Sequence, residues 1–247
     1  YRDYKIDKFI NDTITINQKI YNFLPKLKKK CFFLDTEQVR ASKINHCINT
    51  FLSTKQKHKN HYYGLKYVIT DPRLKISKKK YLHKKQKILL HFGGSDEKMF
   101  NLKIINILSS FNKKIKLSVI LGPALNYKLN VIYKLLKRLK FDFRIYNYPK
   151  NLNSIYNDTS IAIISGGNTL YNFCYLRKKN ISISMNKYET NNCKRLSKYN
   201  LTYYYGHYNK INKKRFIHYF KKIVNLNSKK KKILKIDGVR KISNIIN

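Results

Sequence analysis

The stretch Ile163 to Asn172, IISGGNTLYN, limits what this chain can become more than any other. An apolar strand, Thr159 to Ile164, runs directly into Ser165-Gly166-Gly167, and a helix-competent run from Asn168 to Lys178 follows at once. Glycines at such a corner let the backbone approach a ligand closely, and the first helical turn offers an anion N–H groups that have no intrahelical partner. The same device recurs upstream as KILLHFGGSD, Lys87 to Asp96. Two such corners in one chain predict two sides of a single diphosphate cradle. A tight strand-to-helix turn that holds no ligand has the same local pattern.

The rest of the chain follows the same rhythm. Strands are expected at Cys31 to Asp35, Lys43 to Thr50, Ile88 to Phe92, Lys116 to Leu121, Phe141 to Tyr146, Asn180 to Met185 and Leu201 to Tyr205. Helices are expected at Thr15 to Leu24, closed by Pro25, from Ser95 or Asp96 to Phe111, at Leu125 to Leu139, at Leu152 to Tyr156, at Thr190 to Tyr199, at Arg215 to Leu226 and near Lys241. Strands alternating with helices of these lengths predict an α/β fold: a doubly wound parallel sheet with helices on both faces. Ligands of such sheets sit at the carboxyl ends of the strands, where both Gly-Gly corners lie. The glycine, β-rich run and proline of YYGLKYVITDPRL, Tyr62 to Leu74, mark an interdomain connection, with the boundary inside the basic stretch Lys75 to Lys87. The division expected is 1–80, the remnant of an N-terminal Rossmann-like domain and its linker, and 81–247, a C-terminal ligand-binding domain. Because the chain opens on Tyr1, we read the first strands of the N-terminal domain as lying upstream of it.

A chain of 247 residues is long enough for one large or two modest domains. Its 54 Lys and Arg against 12 Asp and Glu, a formal charge of +42, would ordinarily open a case for nucleic acid. The excess is spread over nearly every polar position and travels with many Asn, Ile and Tyr, with no nucleic-acid module, so no specific nucleic-acid partner is expected. Salt-sensitive sticking to polyanions, with Kd on the order of 10⁻⁴ to 10⁻⁶ M, and attraction of an anionic substrate are. Four scattered cysteines, Cys31, Cys47, Cys174 and Cys193, read as buried or incidental thiols of a reducing cytoplasm. No metal site, cofactor or membrane span is expected.

KILLHFGGSD, IISGGNTLYN, ETNN at Glu189 to Asn192 and KIDGVRKI at Lys235 to Ile242 occur in the order used by GT-B-type nucleotide-sugar enzymes. With YGLKYVITDPRL they resemble the UDP-2,4-diacetamido-2,4,6-trideoxy-β-L-altropyranose hydrolases of pseudaminic acid synthesis and their spore-coat polysaccharide relatives. The resemblance runs from about Cys31 to Ile242. It implies a GT-B-like fold and a UDP-sugar substrate. It also implies hydrolysis at the anomeric carbon, without a metal, that releases UDP in surface-glycan synthesis. The residues it places at the substrate are Gly93, Gly94, Ser165, Gly166, Gly167, Asn168, Thr169, Asn172, Asn191 and Asn192. Two positions depart from the family pattern. Asn172 stands where a glutamate is usual, and Asn192 stands where the second residue of an Asn-Gln pair is usual.

The family's catalytic histidine lies in an N-terminal glycine-histidine loop that this chain does not contain, so no residue inherits that role. His91, just before the Gly93 loop, is a candidate base if it faces the cleft, but a His inside an apolar strand is more often a packing residue, and His46 is read the same way. His58, His61 and His83, among lysines, are expected to be solvated. Asp96 is expected to cap a helix, and Asp35 is the other acid near a strand end. Thr169 has two readings, a hydroxyl donor to the ligand or a first-turn residue bonded to its own backbone. Three functions remain open: UDP-sugar hydrolase, GT-B glycosyltransferase with a UDP-sugar donor, and non-catalytic basic binding protein.

Overall fold

The computed structural model describes residues 7–13, 15–36, 39–50, 58–77, 86–111, 115–125, 127–139, 141–226 and 237–247. His83, the lysine run Lys229 to Lys232 and most of the basic stretches 53–61 and 75–87 lie outside the described residues. The chain forms two units, Tyr1–Thr70 with Leu234–Asn247, and Asp71–Ile233.

The first unit is a four-stranded parallel sheet in chain order: β1 (Lys8–Asn11), β2 (Lys30–Leu34), β3 (Asn45–Asn49) and β4 (His61–Tyr63). Helix α1 (Gln18–Phe23) links the first two strands and passes into a 3-10 turn, Leu24–Leu27, that contains Pro25. On one face Cys31, Phe33 and Cys47 pack with Leu24 and Val39. The sequence reading missed β1, whose residues alternate between exposed and half-buried and show no apolar run.

The second unit carries β5 (Gln86–His91), α2 (Phe100–Leu108), β6 (Ile115–Leu121), α3 (Leu129–Arg138), β7 (Asp142–Asn147), α4 (Asn153–Asn157), β8 (Ile161–Ser165), α5 (Asn168–Tyr175), β9 (Lys179–Ser184), α6 (Lys187–Lys198), β10 (Tyr203–His207) and α7 (Lys213–Asn225). Its six strands are all parallel, in the order β10-β9-β8-β5-β6-β7. Apolar runs such as Ile88 to Leu90 and Ile161 to Ile164 are almost wholly buried, as expected where helices cover both faces of a parallel sheet. A last helix, α8 (Gly238–Ile246), belongs to the first unit. Its Ile242 packs with Leu34, Ile48 and Tyr67, and Gly238 lies so close to Val68 that a Cβ would fall 2.1 Å from the Val68 carbonyl oxygen.

The division falls at Thr70/Asp71, ahead of the position the sequence suggests, and the C-terminal helix sits with the first unit. Asparagines explain the shift. The backbone N–H groups of Asp71, Lys75 and Ser77 donate to the side chains of Asn172, Asn153 and Asn157 at 3.3, 2.9 and 3.3 Å, fastening 71–77 to the second unit.

Candidate functional site

Strand order locates the site. Within the second unit the sheet grows in one direction from β5 through β6 to β7, and in the other from β8 through β9 to β10. β5 and β8 are therefore the neighbours at which the winding reverses, with His91 in register with Ile164. A crevice opens at the carboxyl ends of strands at such a point, and both Gly-Gly corners leave from these two strands.

The first corner, 92–99, is held from below and from within. Gly93 has φ of +82°, a conformation that favours glycine. Gly122 is pressed against Gly94, whose carbonyl oxygen would lie 2.2 Å from a Cβ on Gly122, and Ala124 N–H donates to that same oxygen at 3.0 Å. Asp96 then turns its carboxylate to the start of α2. It accepts from the Phe100 N–H at 2.7 Å, the Asn101 N–H at 3.1 Å, Asn101 Nδ2 at 2.8 Å and the Tyr127 hydroxyl. Burial pushes the Asp96 carboxyl above the usual range, while these donors pull it back down. The capping role expected of Asp96 is present, but it changes the cradle, because the α2 N–H groups expected to meet an anion are occupied by the protein's own carboxylate. Replacing Asp96 by Ala should cost about 1–2 kcal/mol, read as a lower urea midpoint, since buried donors lose their acceptor.

The second corner is more open. Gly167 precedes α5 with no side-chain cap; the Leu170 N–H donates to the Gly167 carbonyl at 3.0 Å, and the N–H groups of Asn168 and Thr169 ahead of it have no acceptor from their own helix. Gly166 faces α6 instead, where a Cβ would lie 2.7 Å from both Cys193 Sγ and Glu189 Cβ. Asn192, fully buried, donates from Nδ2 to the Gly166 carbonyl at 2.5 Å. Glu189 closes the back of this corner. Its N–H donates to Asn186 Oδ1 at 2.8 Å, and its carboxylate accepts from the Met185 N–H at 2.8 Å and from the Gly166 backbone. Burial raises the Glu189 carboxyl above its ordinary range, opposed by those two donors.

Both corners open onto one cavity of about 520 Å³, lined by Gly93, Gly94, Ser95, Ser165, Gly167, Asn168 and Thr169 among others. Its charged lining is Asp96, Glu97, Lys98 and Glu189, three acids and one lysine in a chain of strongly basic balance. The cavity thus offers the backbone N–H groups at the start of α5 to an anion, with the Glu189 carboxylate beside them, and carboxylate oxygens that accept from hydroxyl groups. Glu189 was absent from the sequence-derived site. The signal was legible in Asn186-Lys187-Tyr188-Glu189, an Asn followed three residues later by Glu, which starts α6 three residues ahead of the expected Thr190.

Of the ten residues expected at a ligand, Gly93, Gly94, Ser165, Gly167, Asn168 and Thr169 line the cavity. Gly166 and Asn192 pack behind it, Asn172 accepts from Asp71, and Asn191 lies exposed on α6. Thr169 Oγ1 lies 3.5 Å from His91 Nδ1, a contact outside its own helix. His91 is buried against Tyr156, and burial lowers its pKa to about 4, so it is neutral and does not line the cavity. His46 is likewise buried, beside Phe32 and Tyr62. His61 is buried rather than solvated, its Nε2 2.9 Å from Asn49 Oδ1. All four cysteines are buried, and none forms a disulfide. Among the described residues no group of three or more His, Cys, Asp or Glu could hold a metal ion, and no helix is long and apolar enough to cross a membrane.

No family model matches the chain. An uncharacterized protein of Methanocaldococcus jannaschii is 27% identical over 192 residues, covering 71% of this chain and 40% of that protein, so the chain spans well under half of that relative. Among solved structures, MurG of Acinetobacter baumannii superposes with a TM-score of 0.64 at 12% identity, over 81% of this chain and 59% of that one. The glycosyltransferase SnogD from Streptomyces nogalater gives 0.48 at 11%, over 89% of this chain and 69% of that one. At such identities the likeness is one of architecture: the chain has a GT-B-like α/β fold.

Proposed function

We propose that the cavity between the two Gly-Gly corners binds the diphosphate of a UDP-sugar, and that the chain is the donor-binding part of an enzyme that cleaves the sugar from UDP. One observation carries this reading: Gly93, Gly94, Gly167 and the uncapped start of α5 face the same cavity at the reversal point of a doubly wound sheet. A volume of about 520 Å³ falls within the common range for small-molecule sites. The asymmetry of the corners sharpens the picture. Phosphate oxygens belong at α5, while Glu97 and Glu189 suit the hydroxyl groups of a sugar or ribose. Water as the acceptor, and a diacetamido-trideoxy sugar as the substrate, are favoured by the residues shared with the hydrolases, in particular YGLKYVITDPRL. Transfer to another acceptor is the alternative, favoured by the GT-B-like architecture. No catalytic base is assigned within the cavity.

Calorimetry with UDP in about 0.5 M salt tests the binding claim. A pocket complex should persist there, whereas surface sticking of a chain this basic to a single-stranded oligonucleotide should fade. Equal loss of both signals would refute the pocket. UDP release from the UDP-sugar in water alone supports hydrolysis, and release only with an added acceptor supports transfer.

A further inference from the structure

Beneath the first turn of α5 lies a buried polar cluster that ligand contact alone does not account for. His91 Nδ1 is 3.0 Å from the Tyr156 hydroxyl and 3.5 Å from Thr169 Oγ1. Tyr156, on α4, is fully buried, and its hydroxyl also meets the side chains of Thr169 and Asn172. Asn172 accepts from the Asp71 N–H at 3.3 Å. Of these four side chains only Thr169 lines the cavity. The His91 ring, held neutral by burial, carries one N–H and one lone pair.

Two proton arrangements satisfy the cluster. With the proton on Nδ1, His91 and the Asn172 amide donate to the Tyr156 oxygen, Tyr156 donates to Thr169 Oγ1, and the Thr169 O–H points into the cavity. With the proton on Nε2, Nδ1 accepts from Tyr156, the Tyr156 oxygen accepts from Thr169, and Thr169 presents only lone pairs to a ligand. An anion favours the first arrangement, in which Tyr156 takes a Thr169 lone pair and leaves the Thr169 O–H for a phosphate oxygen, which accepts and does not donate.

We propose that His91 is a positioning residue which, through Tyr156, sets the Thr169 hydroxyl as a donor to a phosphate group held at the start of α5. The inference rests on the nucleotide-sugar reading and adds to it a residue outside the cavity that determines what the cavity offers. No bond to substrate forms, and the proton count is unchanged, since only the tautomer of one imidazole is selected.

The test uses the full chain with ¹⁵N-labelled histidine, titrated with UDP and, separately, with inorganic phosphate. The His91 signals are assigned by their absence in His91→Asn. On saturation with UDP, Nδ1 should show the protonated, pyrrole-type shift and Nε2 the unprotonated, pyridine-type shift, and phosphate should produce the same change at higher concentration. In parallel, Tyr156→Phe removes the relay hydroxyl and Thr169→Val the terminal one. Each should weaken UDP binding by on the order of tenfold, and the double variant should bind no more weakly than Thr169→Val alone. If UDP binds while His91 stays protonated on Nε2, or the two losses simply add, the inference is overturned and the nucleotide reading stands. If UDP does not bind the parent chain, both fall. Should Tyr156→Phe fail to fold, the tautomer measured on the parent chain decides alone.

Discussion

Gly122→Ala is expected to destabilise the second unit by about 3 kcal/mol or more and to abolish UDP binding, although residue 122 is not itself a lining residue. The added Cβ would lie 2.2 Å from the Gly94 carbonyl oxygen and 2.4 Å from Gly94 Cα. Both are backbone atoms, so no side chain can swing aside. Relief requires moving the first corner, which would break the 3.0 Å bond from Ala124 N–H to Gly94 and reshape one wall of the cavity. Gly94→Ala is the informative contrast. A Cβ there meets nothing within 4 Å, so the urea midpoint should hold within about 0.5 kcal/mol of the parent. UDP affinity should nevertheless fall if a phosphate needs the bare backbone at this corner. A Gly122→Ala protein with an unchanged midpoint would remove the close approach from the account, and a Gly94→Ala protein with unchanged affinity would remove the first corner from the cradle.

The second large effect concerns pH and the first unit. Asp35 ends β2 with φ of +50°, its carboxylate accepting from the Thr50 N–H at 2.6 Å and the Thr50 hydroxyl at 2.8 Å. Burial lifts its pKa from 3.8 to about 6 despite those donors, with Asp12 adding repulsion. The folded chain therefore holds this proton more tightly than the unfolded chain. The associated stability is fully present below pH 3.8, declines as pH rises, and is gone above about pH 6. The loss amounts to at most about 3 kcal/mol between pH 4 and pH 7. Asp35→Asn keeps an acceptor for the Thr50 N–H, gains a donor for the Thr50 hydroxyl and tolerates positive φ. It should match the parent at pH 4 and exceed it by about 1–3 kcal/mol at pH 7.5, measured by urea unfolding across that range. Protonation of His91 and the rest of the charge balance act equally on both proteins, so the difference between them isolates Asp35. Parallel pH profiles would show that this carboxyl is not desolvated as described.

Local chemistry made much of the fold legible in advance. The apolar runs of β5, β6 and β8 end at glycines, and the helices between them carry apolar residues at helical spacing, so the alternation that dictates a parallel sheet is written in adjacent residues. The corners at Gly93 and Gly166 could be found for the same reason. Strand β1 could not, because a half-buried edge of mixed residues has no pattern apart from the sheet that it joins.

What the sequence by itself determined is most of the elements and the two corners, since propensity, periodicity and turn chemistry act over a few residues. Tertiary structure decided how the corners differ. The Asp96 cap on the Phe100 and Asn101 N–H groups is locked by Tyr127 while α5 has no such carboxylate cap, Glu189 and Asn192 brace Gly166 from α6, and α8 returns to the first unit. His91 meets Tyr156 across 65 residues and Asp71 meets Asn172 across 101. Such partners are chosen by proximity in the folded chain, and a buried polar group takes whichever complementary group the packing brings within about 3 Å, a choice that spacing along the sequence does not record.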